Sequence, residues 1–273
     1  MVTKNNPGGS LARILLRLLQ HRNLICEMTK REVHGRYRGS MIGLLWSLLK
    51  PAFMLAVYTF VFGVVFKANW GWGATRTAFA IILFAGVIVQ TFFAECIQRA
   101  PSLILENANY VKNVVFPLEI LPFVVVLSAL FHAAISMLVL LAALGLCHPM
   151  HPATLLIPLI FFPFALVTLG FSWLLAATGV YVRDILQMTG IMTTIILFLS
   201  PVFYPVAALP EQWRAFMHCN PLTFVIEETR RILLGGGFDH WVGLGLYYGV
   251  GLLVAWFGFL CFQKMRHGFA AVL

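Results

Sequence analysis

Six stretches of this chain are apolar for long enough, or nearly so, to cross a lipid bilayer. They are roughly Ile42 to Phe66, Ala78 to Ile97, Phe123 to Leu146, Leu155 to Val182, Ile185 to Phe203 and Val242 to Phe262. A helix needs about 20 such residues to traverse the hydrocarbon core. The runs are continuous rather than alternating, which argues against the strands of a membrane barrel. With 60% hydrophobic and only 11% charged residues, a water-soluble fold would leave large apolar patches uncovered. The expected fold is therefore all-α and integral to the membrane, with six transmembrane helices.

The charges orient it. Lys and Arg beside short loops are retained on the cytoplasmic side during insertion. With the N-terminus inside, segments 1–50 and 98–117, the turn at Arg183 and the tail after Phe262 carry fourteen of the nineteen Lys and Arg. An even number of crossings then predicts both termini in the cytoplasm. The net charge of +9 follows from this topology and from attraction to anionic headgroups, not from nucleic-acid binding, for which no separate basic domain exists. Eight Lys and Arg precede the first span without a cleavage site, so no removable signal peptide is expected. Five cysteines are scattered singly, and only Cys147 and Cys219 could meet outside; buried thiols behaving as small apolar groups are the simpler expectation.

Two organisational units follow: a cytoplasmic N-terminal segment, 1–40, and a transmembrane domain, 41–273. Within the first, LARILLRLLQHRNLI (11–25) predicts an amphipathic helix lying in the membrane plane, and CEMTKREVHGRYRGS (26–40) is polar and suited to water or a protein surface. Between spans two and three, Pro101 and Ser102 signal a short helix, and Leu103, Ile104 and Leu105 are apolar for a loop, which reads as a partner surface or as packing against the membrane face. In the tight turn between spans four and five, Arg183 marks the inner interface, with Asp184 pairing to it or capping the next helix.

The last outer loop holds two helix signatures without a full crossing, at about 208–235. Pro210 opens the first. Asn220 and Pro221 form an N-cap and first-turn pair for the second, which stops at Gly235. Leu222, Val225, Ile226, Thr229 and Leu233 share one face of the second helix, with Glu227, Glu228, Arg230 and Arg231 expected around the rest.

Catalytic chemistry is not expected. The spans offer only Gln90, Glu95 and His132, with Glu119 at an interface, and each is accounted for by hydrogen bonding inside a helix bundle. His148 and His151 make a poor metal site, so none is expected. No lysine is followed by Ser or Thr, so no GxxxxGK[ST] phosphate loop exists and ATP cannot be hydrolysed by that route.

RYRGSMIGLLWSLLKP (36–51), VKNVVFPLEILP (111–122), SPVFYP (200–205) with LPEQW (209–213), and NPLTFVIEETRRILLGG (220–236) occur in that order. Together they resemble, over essentially the whole chain, the membrane subunit of ATP-binding-cassette exporters of surface polysaccharide such as O-antigen and capsule. The resemblance implies a homodimer with two copies of a separate ATPase, which supplies ATP and Mg, while this chain holds no cofactor. It implies a bacterial inner-membrane location and a lipid-linked polysaccharide cargo, O-antigen ahead of capsule, teichoic acid, drug or lipid. It places the ATPase-docking residues at Glu27, Lys30, Arg31 and Glu32 and at Ser102, Leu103, Glu106, Asn107 and Tyr110. The channel aromatics would be Tyr58, Phe62 and Phe66, four apart on span one, with Phe198, Phe203 and Tyr204 on span five. The outer helices would form a gate carrying Trp213, Asn220, Pro221, Glu227 and Arg230. Arg36, Arg38 and Arg183 read as inner-interface anchors. Lys50 needs that interface or an aqueous vestibule for its charge. The competing class is a polytopic enzyme acting on lipid-linked sugar, which would be active without an ATPase.

Overall fold

The structure, a computed structural model, describes residues 19–65, 76–112, 116–147 and 151–273, and the regular structure among them is helical throughout. Among the described residues five helices are long and apolar enough to cross a membrane: Gly43–Phe62, Ile81–Glu106, Ile120–Leu146, Pro152–Tyr181 and Trp241–Arg266. Their α-helical elements are α2 (Trp46–Tyr58), α3 (Arg76–Arg99), α6 (Ile120–Cys147), α7 (Ile157–Tyr181) and α11 (Trp241–Arg266), preceded by α1 (Arg22–Gly35), with the short α4 (Leu103–Glu106) and α5 (Ala108–Lys112) between α3 and α6. The expected helix over 11–25 lies largely outside the described residues. Residues 26–35 of the polar stretch after it belong to α1, whose Ile25 is buried with Ile120 and Val124 of α6.

Between α1 and α2 the chain turns through Gly39 and Gly43, at φ +87° and +57°. Side chains with a Cβ resist this left-handed region. The bend lets α1 lie across the foot of α6 instead of running on into α2. Beyond Tyr58, α2 widens into a π-helix over Thr59–Val65.

The expected fifth crossing is shorter than predicted. Helix α8 (Ile185–Leu199) has 15 residues, about 22 Å at about 1.5 Å each, against a core about 30 Å thick. It ends before Pro201, whose ring disfavours helical geometry in the preceding residue, and Ser200 is accordingly extended at φ −98°, ψ 152°. Phe203 and Tyr204 therefore sit in the turn after the helix and not on it. Asp184 occupies the N-cap position of α8, but its side chain makes no capping bond.

The most extensive helix pairing joins α7 to α11. Gly258 lies so close to Gly170 that a Cβ on either would meet the other helix's backbone, and a Cβ on Gly251 would sit 2.8 Å from the Pro163 carbonyl oxygen. Trp173, 1% exposed, stacks edge-on against Phe259 at 5.3 Å and donates its Nε1–H to the Glu119 carbonyl at 2.9 Å. Buried Glu119 in turn pairs with Arg266 at 2.7 Å. One end of α6 is thus clamped to both α7 and α11.

Candidate functional site

A groove of about 500 Å³ runs between α2, α3 and α8. Tyr58 and Phe203 line it, as do Gln90, Gln98, Thr193 and Thr194. The Gln90 amide donates to the Thr193 carbonyl at 2.9 Å, and the Gln98 amide to the Thr193 hydroxyl at 2.7 Å, so two glutamines on the same side of α3 hold α8 in place. Of the expected aromatics, Tyr58 and Phe62 are neighbours with ring centroids 6.3 Å apart, and Phe198 and Phe203 lie at 6.1 Å. The Tyr204 hydroxyl donates to the Phe198 carbonyl at 2.8 Å. The four-residue spacing from Tyr58 does not continue as one straight stripe, because the chain beyond it is π-wound. Phe66 lies outside the described residues. The groove thus combines aromatic faces with amide and hydroxyl groups, a mixture suited to a ligand with both C–H faces and hydroxyls.

At the arginine-rich end of the groove four charges interlock. Arg36 pairs with Glu95, Arg99 pairs with Glu32, and Arg99 approaches Glu95 at 4.0 Å. Arg36 is therefore bound to α3 and is not a free headgroup anchor. These side chains are partly exposed, and each pair contributes on the order of 1 kcal/mol. Reversing Glu32 to Arg is expected to lower the thermal midpoint of the purified chain, and adding Arg99→Glu to restore most of the loss. A double variant no better than the single would mean that the two side chains do not act as a pair.

A cavity of about 730 Å³ brings together much of the expected docking set: Arg31, Glu32, Leu103, Asn107 and Tyr110, with Arg38 beside them. Three details differ from expectation. Leu103 and Ile104, 6% and 0% exposed, do not form an outward apolar tip but belong to the main core, because the second span continues past Pro101 as helix to Glu106. Asn107 faces back as well, its amide donating to the Leu103 carbonyl at 2.9 Å. Ser102 is likewise turned inward, donating to the Arg99 carbonyl at 3.2 Å. Glu106 stays exposed, as do Glu27 and Lys30, which pair with each other at 2.9 Å, and Arg183.

On the far side of α8, helices α9 (Glu211–His218) and α10 (Pro221–Leu233) follow the expected signatures. Asn220 caps α10, its Oδ1 accepting from Leu222 N–H at 3.0 Å while its amide donates to the Ser200 hydroxyl at 2.9 Å. The helix ends at Gly235, φ +82°. Trp213 and the Glu227 carboxyl are accessible, at 55% and 37% exposed. The charged rim does not hold as predicted, because Glu228 and Arg230 are buried, 4% and 5% exposed. The Arg230 guanidinium donates to the Ile82 carbonyl at 2.9 Å, to Val202 at 2.6 Å and to Pro201, with Glu227 at 3.7 Å. The proline-broken SPVFYP turn leaves backbone carbonyls that no helix satisfies, and a five-donor guanidinium is the side chain able to satisfy several at once. Of the cysteines, Cys219 is exposed and free, and the side chain of Cys147 lies outside the described residues.

Residues 23–234, from α1 to the end of α10, match the ABC-2 type transporter family. The chain belongs to that family. It is also similar to the O-antigen export system permease protein RfbA of Myxococcus xanthus, 27% identical over 264 residues that cover 95% of this chain and 99% of that one. RfbA of Klebsiella pneumoniae is 23% identical over 92% of this chain and 95% of its own length. The polysialic acid transport protein KpsM of Escherichia coli is 23% identical over 86% and 90%.

In this ABC-2 type chain, sequence reasoning missed Gln98, Arg99, Thr193 and Thr194. Gln98 and Arg99 fell just beyond the expected end of span two, whereas the helix carries them to the groove. The threonines look unremarkable in an apolar run, although their four-residue separation from the small Gly190 or Thr189 marks one polar stripe on α8.

Proposed function

We propose that this chain is the membrane subunit of an ATP-driven exporter that moves a lipid-linked polysaccharide, O-antigen in first place, out of the cytoplasm across a bacterial inner membrane. Two copies form the path, and two copies of a separate ATPase bind at the face bearing Lys30, Arg31 and Glu106 and supply ATP and Mg chemistry. Both termini lie on that cytoplasmic side. The observation that carries the reading is the groove beside Tyr58 and Phe203, lined by glutamines and threonines. Rings stack on the C–H faces of pyranoses, and amides and hydroxyls exchange hydrogen bonds with sugar hydroxyls as the polymer passes. Similarity to permeases named for O-antigen export, over nearly their whole length, supports the same cargo class. Capsular polysaccharide is the second reading, favoured by the similarity to KpsM. The outer helices α9 and α10, pinned through Arg230, serve as the gate on the exit side.

Deleting the gene in its own host is the direct test. Surface polysaccharide should fall to background, with polymer accumulating inside the cell, and re-expression should restore it. Normal surface polymer in a deletion strain lacking a paralogue would refute the assignment. Which polymer is trapped, O-antigen or capsule, separates the two cargo readings.

A further inference from the structure

A further cavity of about 290 Å³, adjoining the groove, lies between α2, α3 and α6, and its lining is graded from polar to apolar. Along α3 it runs from Glu95 through Phe92 and Ile88 to Phe84, and along α2 from Ser47 and Lys50 to Met54. Such a gradient fits an amphiphile with its headgroup at the Glu95 end and its tail along the rings. The volume is at the small end for a ligand pocket and suits one headgroup.

The charges at the polar end are unevenly matched. Arg36 is paired with Glu95 and Arg99 with Glu32, two cations against two carboxylates. Lys50, also at this end, has no carboxylate partner among the described residues, and His132 lines the same cavity. His132 presents a second unmatched group. The Tyr37 hydroxyl lies 3.3 Å from its Nδ1, while its Nε2 is buried with no hydrogen-bond partner. When Tyr37 donates to Nδ1, Nε2 carries the proton and becomes a donor lacking an acceptor. A buried donor without an acceptor costs about 1–3 kcal/mol. An anion between Lys50 and His132 would satisfy both. Trp46, half exposed at the same mouth, is a residue type that settles at headgroup level.

We infer that this cavity binds the phosphate of a single anionic lipid, with Lys50 and His132 Nε2 contacting the phosphate oxygens and the tail lying against Met54, Ile88 and Phe84. The lysine stem reaches along the apolar wall while its ammonium meets the phosphate at the mouth, the usual disposition of lysine at a bilayer interface. The cavity shares Arg36, Val87, Thr91 and Glu95 with the groove beside Tyr58 and Phe203, but Lys50 and His132 line the cavity and not the groove, and the site stands whether or not the cargo is polysaccharide.

The test uses the full chain in nanodiscs of phosphatidylcholine doped with phosphatidylglycerol, with retained lipid read by native mass spectrometry after transfer to detergent. The wild type should retain phosphatidylglycerol in preference to phosphatidylcholine. Lys50→Gln should reduce that retention about ten-fold, the scale of one charge-assisted contact, and Lys50→Arg should restore it. Should Lys50→Gln accumulate poorly, His132→Leu serves the same comparison. Displacement of the retained lipid by dodecyl phosphate, but not by inorganic phosphate, would support a lipid phosphate. Equal displacement by inorganic phosphate would mean a free-anion site and overturn the lipid assignment. Retention that ignores both headgroup and Lys50 would overturn the site itself. Surface polymer in the deletion strain reads the export function separately, so either proposal can fail alone.

Discussion

Arg230→Leu is expected to cost the fold about 3–5 kcal/mol, the scale for losing one partner of a buried charged network. The substitution removes the donors that serve the carbonyls of Ile82, Pro201 and Val202, and leaves the Pro201 and Val202 oxygens, which lie outside any helix, without a partner beside an apolar side chain. Each unsatisfied group carries a penalty of about 1–3 kcal/mol. Because these carbonyls belong to α3 and to the break after α8, the loss should be local first. Hydrogen exchange over 221–233 should rise, and the thermal midpoint in detergent should fall. Arg230→Lys should recover only part of this, since an ammonium is a point charge and cannot reproduce the spread of the guanidinium fork. If Arg230→Leu exchanged like the wild type over α10, the guanidinium would not be what holds that helix.

Helix α11 offers a contrast between two identical substitutions. At Gly258 a new Cβ meets the Gly170 backbone, which cannot rotate away. Gly258→Ala is therefore expected to destabilise by about 1–3 kcal/mol as overpacking, and Gly258→Leu to prevent accumulation of folded protein. At Gly245 in the same helix a Cβ has nothing within 4 Å. Gly245→Ala should be neutral or should gain up to about 1 kcal/mol from helix propensity. Thermal midpoints of the two alanine variants, measured in one detergent, decide the matter. Equal midpoints would mean that α7 and α11 do not rest on the Gly170–Gly258 approach.

The same logic separates what was legible in the amino-acid order from what was not. Runs of apolar residues long enough for a bilayer dictate helices, so the helical membrane class and most span positions could be read directly. Local chemistry also carried through. Asn220 before Pro221 caps α10 as expected, and Gly235 ends it, because a cap depends on neighbours a few residues away. The end of α8 at Leu199 was equally local, and the Ser200–Pro201 pair that sets it could have been read in advance.

Side-chain destinations were another matter. Arg230 reads as a rim charge on an amphipathic helix, yet it is buried because the turn carbonyls 28 and 29 residues away in the chain lack helical donors, and it reaches Ile82, 148 residues away, as well. Leu103 reads as a docking tip, yet it is core, because Pro101 packs into the space left by Gly179 on α7 and the chain stays helical past it. Arg36 and Glu32 read as independent surface charges, yet they meet Glu95 and Arg99 across 59 and 67 residues. The sequence by itself determined the solvent, the helical class, the cap chemistry and the absence of a phosphate loop, since each depends on composition or on residues within a turn or two. Which charges are buried and paired, and which polar groups share a groove, was decided only by the tertiary structure. Those outcomes depend on which backbone groups and carboxylates distant segments bring within hydrogen-bonding reach, and no local pattern encodes that.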